Sequence, residues 1–124
     1  MNRKVNILVA EKERIISLDL ETTLTEWGYA VPEVTCAGSA VLRAVRQKHP
    51  DLVIFGTDST ESMQKLVREI RSRFSGGIVL LVDRISEELK NLLVSLRSVY
   101  FLPKPFNHED LHRLVEKALL DQAN

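Results

Sequence analysis

Short apolar runs alternate with longer amphipathic stretches along this chain. The runs cover residues 5–9, 31–35, 52–55, 78–82 and 99–102, and most of their residues are β-branched or aromatic. Each has the length and composition of a strand covered on both faces. Between the runs, apolar residues recur at helical spacing. Ile16, Leu20, Leu24 and Trp27 mark a first helix, which Gly28 can stop. Ser39 can cap a second helix that buries Val41, Leu42 and Val45. Met63, Leu66, Val67 and Ile70 mark a third, with Arg68, Arg71 and Arg73 on its solvated side. Ser86 can cap a fourth, whose Glu87 and Glu88 suit the positive first turn. Asn107 can cap a fifth that turns Leu111, Leu114, Val115, Ala118 and Leu119 inward.

Five strand–helix units in strict alternation predict a parallel sheet with helices on both faces, in strand order 2-1-3-4-5. No repeat, low-complexity tract or linker divides the chain, so residues 1–124 are expected to form one domain. In doubly wound sheets, ligands sit beyond the C-terminal strand ends, at the switch point between strands 1 and 3. This rule gathers residues 10–13, 56–58, Asp83 and Lys104 around one cleft.

Composition narrows the function without naming it. Acidic and basic residues balance at 17 each, so net charge offers no case for nucleic acid or an anionic membrane. The longest apolar stretches, such as 77–82 and 92–96, are too short to span a bilayer, and the N-terminus carries no signal-like segment. A lone cysteine, Cys36, cannot form an internal disulfide, which fits a reducing cytoplasm. Cys36 itself has the setting of a small half-buried thiol, and Trp27 that of a packing residue. His49, His108 and His112 lack the pattern of a metal site. A soluble cytoplasmic module is the expectation.

Two motifs close the third and fifth runs. His49-Pro50-Asp51-Leu52-Val53-Ile54-Phe55-Gly56 ends in glycine, and Leu102-Pro103-Lys104-Pro105-Phe106 places a lysine before a proline. With them, the chain resembles a response-regulator receiver domain, the CheY-like class of flavodoxin-like α/β folds, from Ile7 to about Leu120. In that family a carboxylate at the end of the third strand takes a phosphoryl group from a histidine kinase. An acidic pair after the first strand holds magnesium, and a Ser or Thr after strand 4 bonds the phosphoryl group. A lysine after strand 5 pairs with a phosphate oxygen, and the next proline is usually cis.

The positions match only in part. Glu11 fits the first acidic position, but Lys12 stands at the second, where an ammonium cannot ligate magnesium. Gly56 stands at the acceptor position and has no atom to attack phosphorus. Val82 keeps a β-branched shape without the hydroxyl. Lys104 and Pro105 remain. Asp58, two residues past Gly56, is a carboxylate that a bent loop could bring near, or a solvated loop residue. Asp83 is expected to meet Arg84, solvent or a cleft lysine, and Lys104 to pair with Glu11, Asp58 or Asp83. Lys12 and Lys104 together could instead capture an anion.

The resemblance therefore implies a pseudo-receiver: a phosphorylation-independent protein-interaction module of a two-component (phosphorelay) signalling system. It implies no enzyme activity, no cofactor and little affinity for magnesium. In active receivers the face formed by helix 4, strand 5 and helix 5 carries the dimer or output contact. Here that face is expected to present Lys90, Leu93, Arg97, Tyr100 and His112 to an effector domain, a kinase or a second copy. Phe101 aligns with the family's aromatic switch, and Val82 is expected to hold it in one rotamer. Two alternatives stay open. One is a working receiver phosphorylated at a displaced carboxylate such as Asp58; the other is a small-ligand or anion sensor that uses the altered cleft.

Overall fold

A computed structural model describes residues 4–35, 39–56 and 60–121, leaving out the side chains of Ser39, Thr60, Glu61 and Leu93. Cys36 and Asp58 lie outside the described residues. The element order is β1 (Ile7–Ala10), α1 (Arg14–Glu26), β2 (Val34–Thr35), α2 (Ser39–Lys48), β3 (Leu52–Gly56), α3 (Thr60–Arg71), β4 (Gly77–Val82), α4 (Glu87–Ser95), β5 (Val99–Pro103) and α5 (His108–Leu120). The strands pair in parallel in the order β2-β1-β3-β4-β5, as the alternation predicts.

The apolar runs are continuous because both sheet faces are covered. Leu8, Val53, Phe55, Ile78, Leu80 and Val82 point to the layer that packs with α2, α3 and α4. The alternate residues Ile7, Val9, Leu52, Ile54, Val79 and Leu81 point to the layer of α1 and α5. This is the two-residue period of a strand, read twice. Helix ends follow local chemistry as expected. Ser86 accepts a hydrogen bond from the Leu89 amide at 3.2 Å, and Asn107 from the Asp110 amide at 2.7 Å. Gly28 turns the chain out of α1 with φ +96°, a conformation that disfavours other residues. Among the described residues, no helix is long and apolar enough to cross a membrane.

Three local expectations need correction. The second strand is only Val34–Thr35, with an isolated bridge from Asn6 to Ala30. Pro32 interrupts the predicted run because it has no amide hydrogen for the ladder. Ser39 is the first residue of α2 rather than the residue before it, so it does not hold the cap position. Arg71 does not lie on a solvated face. Its guanidinium is half-buried and donates to the Phe74 carbonyl at 2.6 Å and the Ser98 carbonyl at 3.3 Å. Burial lowers its pKa.

Arg71 thus ties the end of α3 to the turn before β5. Arg71→Met keeps the stem and removes both charge-assisted bonds, so a loss of about 1–3 kcal/mol is expected. Urea unfolding should show a lower midpoint with an unchanged slope; an unchanged midpoint would mean the clamp adds nothing.

Candidate functional site

The C-terminal ends of β1, β3, β4 and β5 meet on one side of the sheet, where the crossover between β1 and β3 opens a cleft. Glu11 follows β1 directly. Its amide donates to the Thr35 carbonyl at 3.0 Å, which keeps the strand direction for one more residue. The side chain is nearly fully buried, with 1% exposed. Its Oε2 accepts from the Glu13 amide at 2.7 Å, at the cap position of α1, where a negative charge meets the positive end of the helix.

Lys104 enters from the other side. It follows β5, and its amide donates to the Val82 carbonyl at 2.7 Å. The Lys104–Pro105 peptide is cis. The ammonium lies 2.9 Å from Glu11 Oε1 and 3.1 Å from Glu13 Oε1, with 15% of the side chain exposed. The Glu13 contact is a hydrogen bond. The Glu11 contact is a close ion pair lying off the line of a good hydrogen bond, so the buried Oε1 has no well-aligned donor. Burial alone would disfavour the ammonium. The bonds and charges of Glu11 and Glu13 outweigh it, so the Lys104 pKa is raised.

Gly56 explains how the carboxylate reaches this position. A Cβ placed there would lie 2.5 Å from Glu11 Oε1 and 3.2 Å from both the Cβ and the carbonyl oxygen of Leu81. The Glu11 carboxylate therefore leans into the space where any side chain at position 56 would begin. Only glycine permits so close an approach. Val82, at the end of β4, is buried at 4% exposure in the core layer under α2, α3 and α4.

The structure brings Glu11, Gly56 and Lys104 together, with Val82 joined to Lys104 through its backbone carbonyl. It makes Glu13, one of the residues 10–13 that the cleft rule gathers, a second partner of Lys104, a pairing that the sequence does not name. The available signal was the Glu-Lys-Glu spacing at the turn, which returns the third residue to the same side as the first. Lys12, between them, is exposed, as are Pro105 and Asp83. Asp83 makes no ion pair with Arg84 or Lys104 among the described residues. Among the described residues, no group of three His, Cys, Asp or Glu could hold a metal ion.

The expected output face is assembled only in part. Lys90 is exposed and lies 3.6 Å from Glu87, and Arg97 is also exposed. The side chain of Leu93 lies outside the described residues. Tyr100 is half-buried; its hydroxyl donates to the Asp121 carboxylate, and the Lys117 ammonium lies 5.6 Å from the ring centroid. Phe101 packs on the opposite sheet face, against the layer of α2, α3 and α4. His112 does not join the face. Its ring stands edge-on to Trp27 at 4.6 Å, on the side of α5 that meets α1. The reason is helical geometry: Lys117, which covers Tyr100, is five residues on, a rotation of roughly 140°.

No protein-family model matches the chain. Solved structures do match it. A response regulator from Thermotoga maritima is 23% identical, with a TM-score of 0.83 over 95% of this chain and 99% of that one. The signal receiver domain of a modulated diguanylate cyclase from Desulfovibrio desulfuricans G20 is 19% identical, with a TM-score of 0.80 over 95% of each chain. The chemotaxis protein CheY4 of Vibrio cholerae is 21% identical, with a TM-score of 0.77 over 94% of this chain and 99% of that one. The fold is therefore the flavodoxin-like α/β fold of CheY-type receiver domains.

Two outcomes follow from the charges. Lys104→Met leaves a buried carboxylate unpaired and is expected to cost about 3 kcal/mol, the low end for a broken buried pair because Lys104 keeps some water contact. Exposed Glu13→Gln should cost less than about 1 kcal/mol. Equal urea midpoints for the two variants would contradict this ranking. Tyr100 is raised to about 12 by burial and by its Asp121 bond. Its contribution to stability is complete below the ordinary value of 10.0 and lost as pH rises through about 12. Phenolate absorbance should show an ionisation near that upper value that Tyr100→Phe removes; a Tyr100 midpoint at the ordinary value would contradict it.

Proposed function

We propose that this chain is a phosphorylation-independent, receiver-like interaction module of a two-component (phosphorelay) signalling pathway. It acts by protein contact and carries out no catalysis. The observation that supports this reading is the Glu11 carboxylate lying over Gly56 with the Lys104 ammonium against it. In the resembled family, Lys104 would wait for a phosphoryl oxygen on the residue at position 56. Here a glutamate from the neighbouring strand supplies the anion permanently, and the residue at position 56 has nothing to phosphorylate.

The same residues do not fit magnesium. That ion needs a near-octahedral set of oxygen ligands. The carboxylates of Glu11 and Glu13 are both turned onto an ammonium, and Lys12 adds a cation at the second acidic position. One unlike-charge contact at about 4 Å is worth about 4 kcal/mol under an effective dielectric of 20, so exchanging a ligand for a cation is a large penalty. The anion-sensor reading loses its main cation for the same reason, since Lys104 is already held by two carboxylates.

The partner surface in this reading is the sheet edge at β5 with the flanking helices α4 and α5. Val94 is 89% exposed there, near Lys90 and Arg97 on the same helix and the turn after it. Solved neighbours include the receiver domain of an HD domain-containing protein from Pseudomonas fluorescens Pf-5 and that of a diguanylate cyclase. Those names support an effector domain as the partner, with a kinase or a second copy as the other candidates.

The test is incubation with a small phosphodonor and magnesium, followed by intact-mass measurement and Phos-tag electrophoresis. No phosphoryl adduct is expected on the wild-type chain or on Asp58→Asn. A labile adduct on the wild type that disappears in Asp58→Asn would replace this reading with that of a working receiver.

A further inference from the structure

A second hollow lies at the opposite end of the sheet, where α3 and α4 finish before β4 and β5 begin. It has a volume of about 560 Å³, and its lining includes Arg71, Arg73, Phe74, Ser95, Leu96 and Arg97. The chain as a whole is electrically neutral. Three guanidiniums in one groove, with no carboxylate among the described lining residues, are therefore a concentration that the fold creates. Arg97 comes from a segment far along the chain from Arg71 and Arg73. Asp51, in an adjoining hollow, accepts a hydrogen bond from the Asn6 amide at 2.8 Å, and the Asp121 carboxylate is bonded to Tyr100.

Arg71 is anchored in the wall of the groove, since both of its terminal nitrogens donate to backbone carbonyls, those of Phe74 and Ser98. Arg73 is exposed and has no ion-pair partner among the described residues. The half-buried ring of Phe74, with the Arg71 guanidinium 6.0 Å from its centroid, and Leu96 form an apolar wall. The hydroxyls of Ser72 and Ser95 already donate to backbone carbonyls at 2.7 and 3.0 Å, which leaves their oxygens as acceptors. A fitting ligand needs anionic oxygens, a flat apolar portion and hydrogen-bond donors. The volume is in the range of small-molecule sites.

We propose that this groove binds a nucleoside phosphate, with the phosphate on the arginines and the base against Phe74 and Leu96. The site is separate from the Glu11–Lys104 pocket, so either assignment can fail without the other. The test is a titration of the ¹⁵N-labelled chain, followed by amide chemical shifts, with AMP and GMP, and with pyrophosphate and adenosine as the phosphate-only and base-only arms. Saturable shifts at Arg73, Phe74 and Ser95 to Arg97 are expected with a nucleotide, with Glu11 and Lys104 unmoved. A nucleotide should bind at least about tenfold more tightly than pyrophosphate or adenosine, and the R73E/R97E double variant should weaken it by about tenfold or more. No saturable shift with either nucleotide, pyrophosphate binding equal to or tighter than nucleotide binding, or a titration unchanged in R73E/R97E would each overturn the assignment. If the double variant does not fold, the wild-type series decides alone.

Discussion

The ammonium of Lys104, held by Glu11 and Glu13 above a residue with no side chain, is the contact on which the pocket depends. It joins the ends of three strands that are distant in sequence. Glu11 prolongs β1, Gly56 ends β3, and Lys104 leaves β5. Glu11 also accepts from the amide at the cap of α1, so one carboxylate links two sheet strands to a helix. A carboxylate at 1% exposure cannot stay charged without such partners.

This arrangement makes the cleft self-contained. Its anion and its cation are both encoded in the chain and pair with each other. Toward β4, Gly56 meets Leu81, whose Cβ and carbonyl oxygen crowd the place of a side chain at position 56. The position that receives a modification in the resembled family is filled from the neighbouring strand. In the proposed reading, the reversible charge that the resembled family carries at this point is replaced by a fixed one. What such a module transmits then depends on its surfaces. Those surfaces include the β5 edge, where Tyr100 is fastened to the end of α5 through Asp121, and the arginine groove at the other end of the sheet.

The fold was legible because strand and helix periods are strong signals when both sheet faces are buried. The runs that became β1, β3, β4 and β5 needed only that rule. β2 was overestimated because apolar content hid the effect of Pro32, which cannot donate to a ladder. Arg71 looked solvated because helical spacing describes the helix and not the loops that close over its end. The place of the pocket was legible from the strand ends, and the resemblance drew attention to Gly56, Lys12 and Val82. That Glu11 would occupy the emptied space was not legible, because this depends on the distance between adjacent strands and not on residue type. The pairing of Glu13 with Lys104 is hidden for a similar reason: it comes from a turn that brings the Glu13 side chain back toward Lys104. Helical spacing alone does not set the phase of His112 relative to β5, and the sheet turns it toward Trp27.

The most direct test of this account is a double-mutant cycle between positions 56 and 11, read as unfolding free energy in urea. Gly56→Ala in the wild-type background forces the Glu11 carboxylate aside and should destabilise the chain. In the Glu11→Ala background the carboxylate clash is gone and only the 3.2 Å contacts with Leu81 remain, so the same methyl group should cost less. A coupling of about 1 kcal/mol or more is the predicted result. Effects that simply add, to within about 0.5 kcal/mol, would contradict the claim that Glu11 fills the place of the missing side chain.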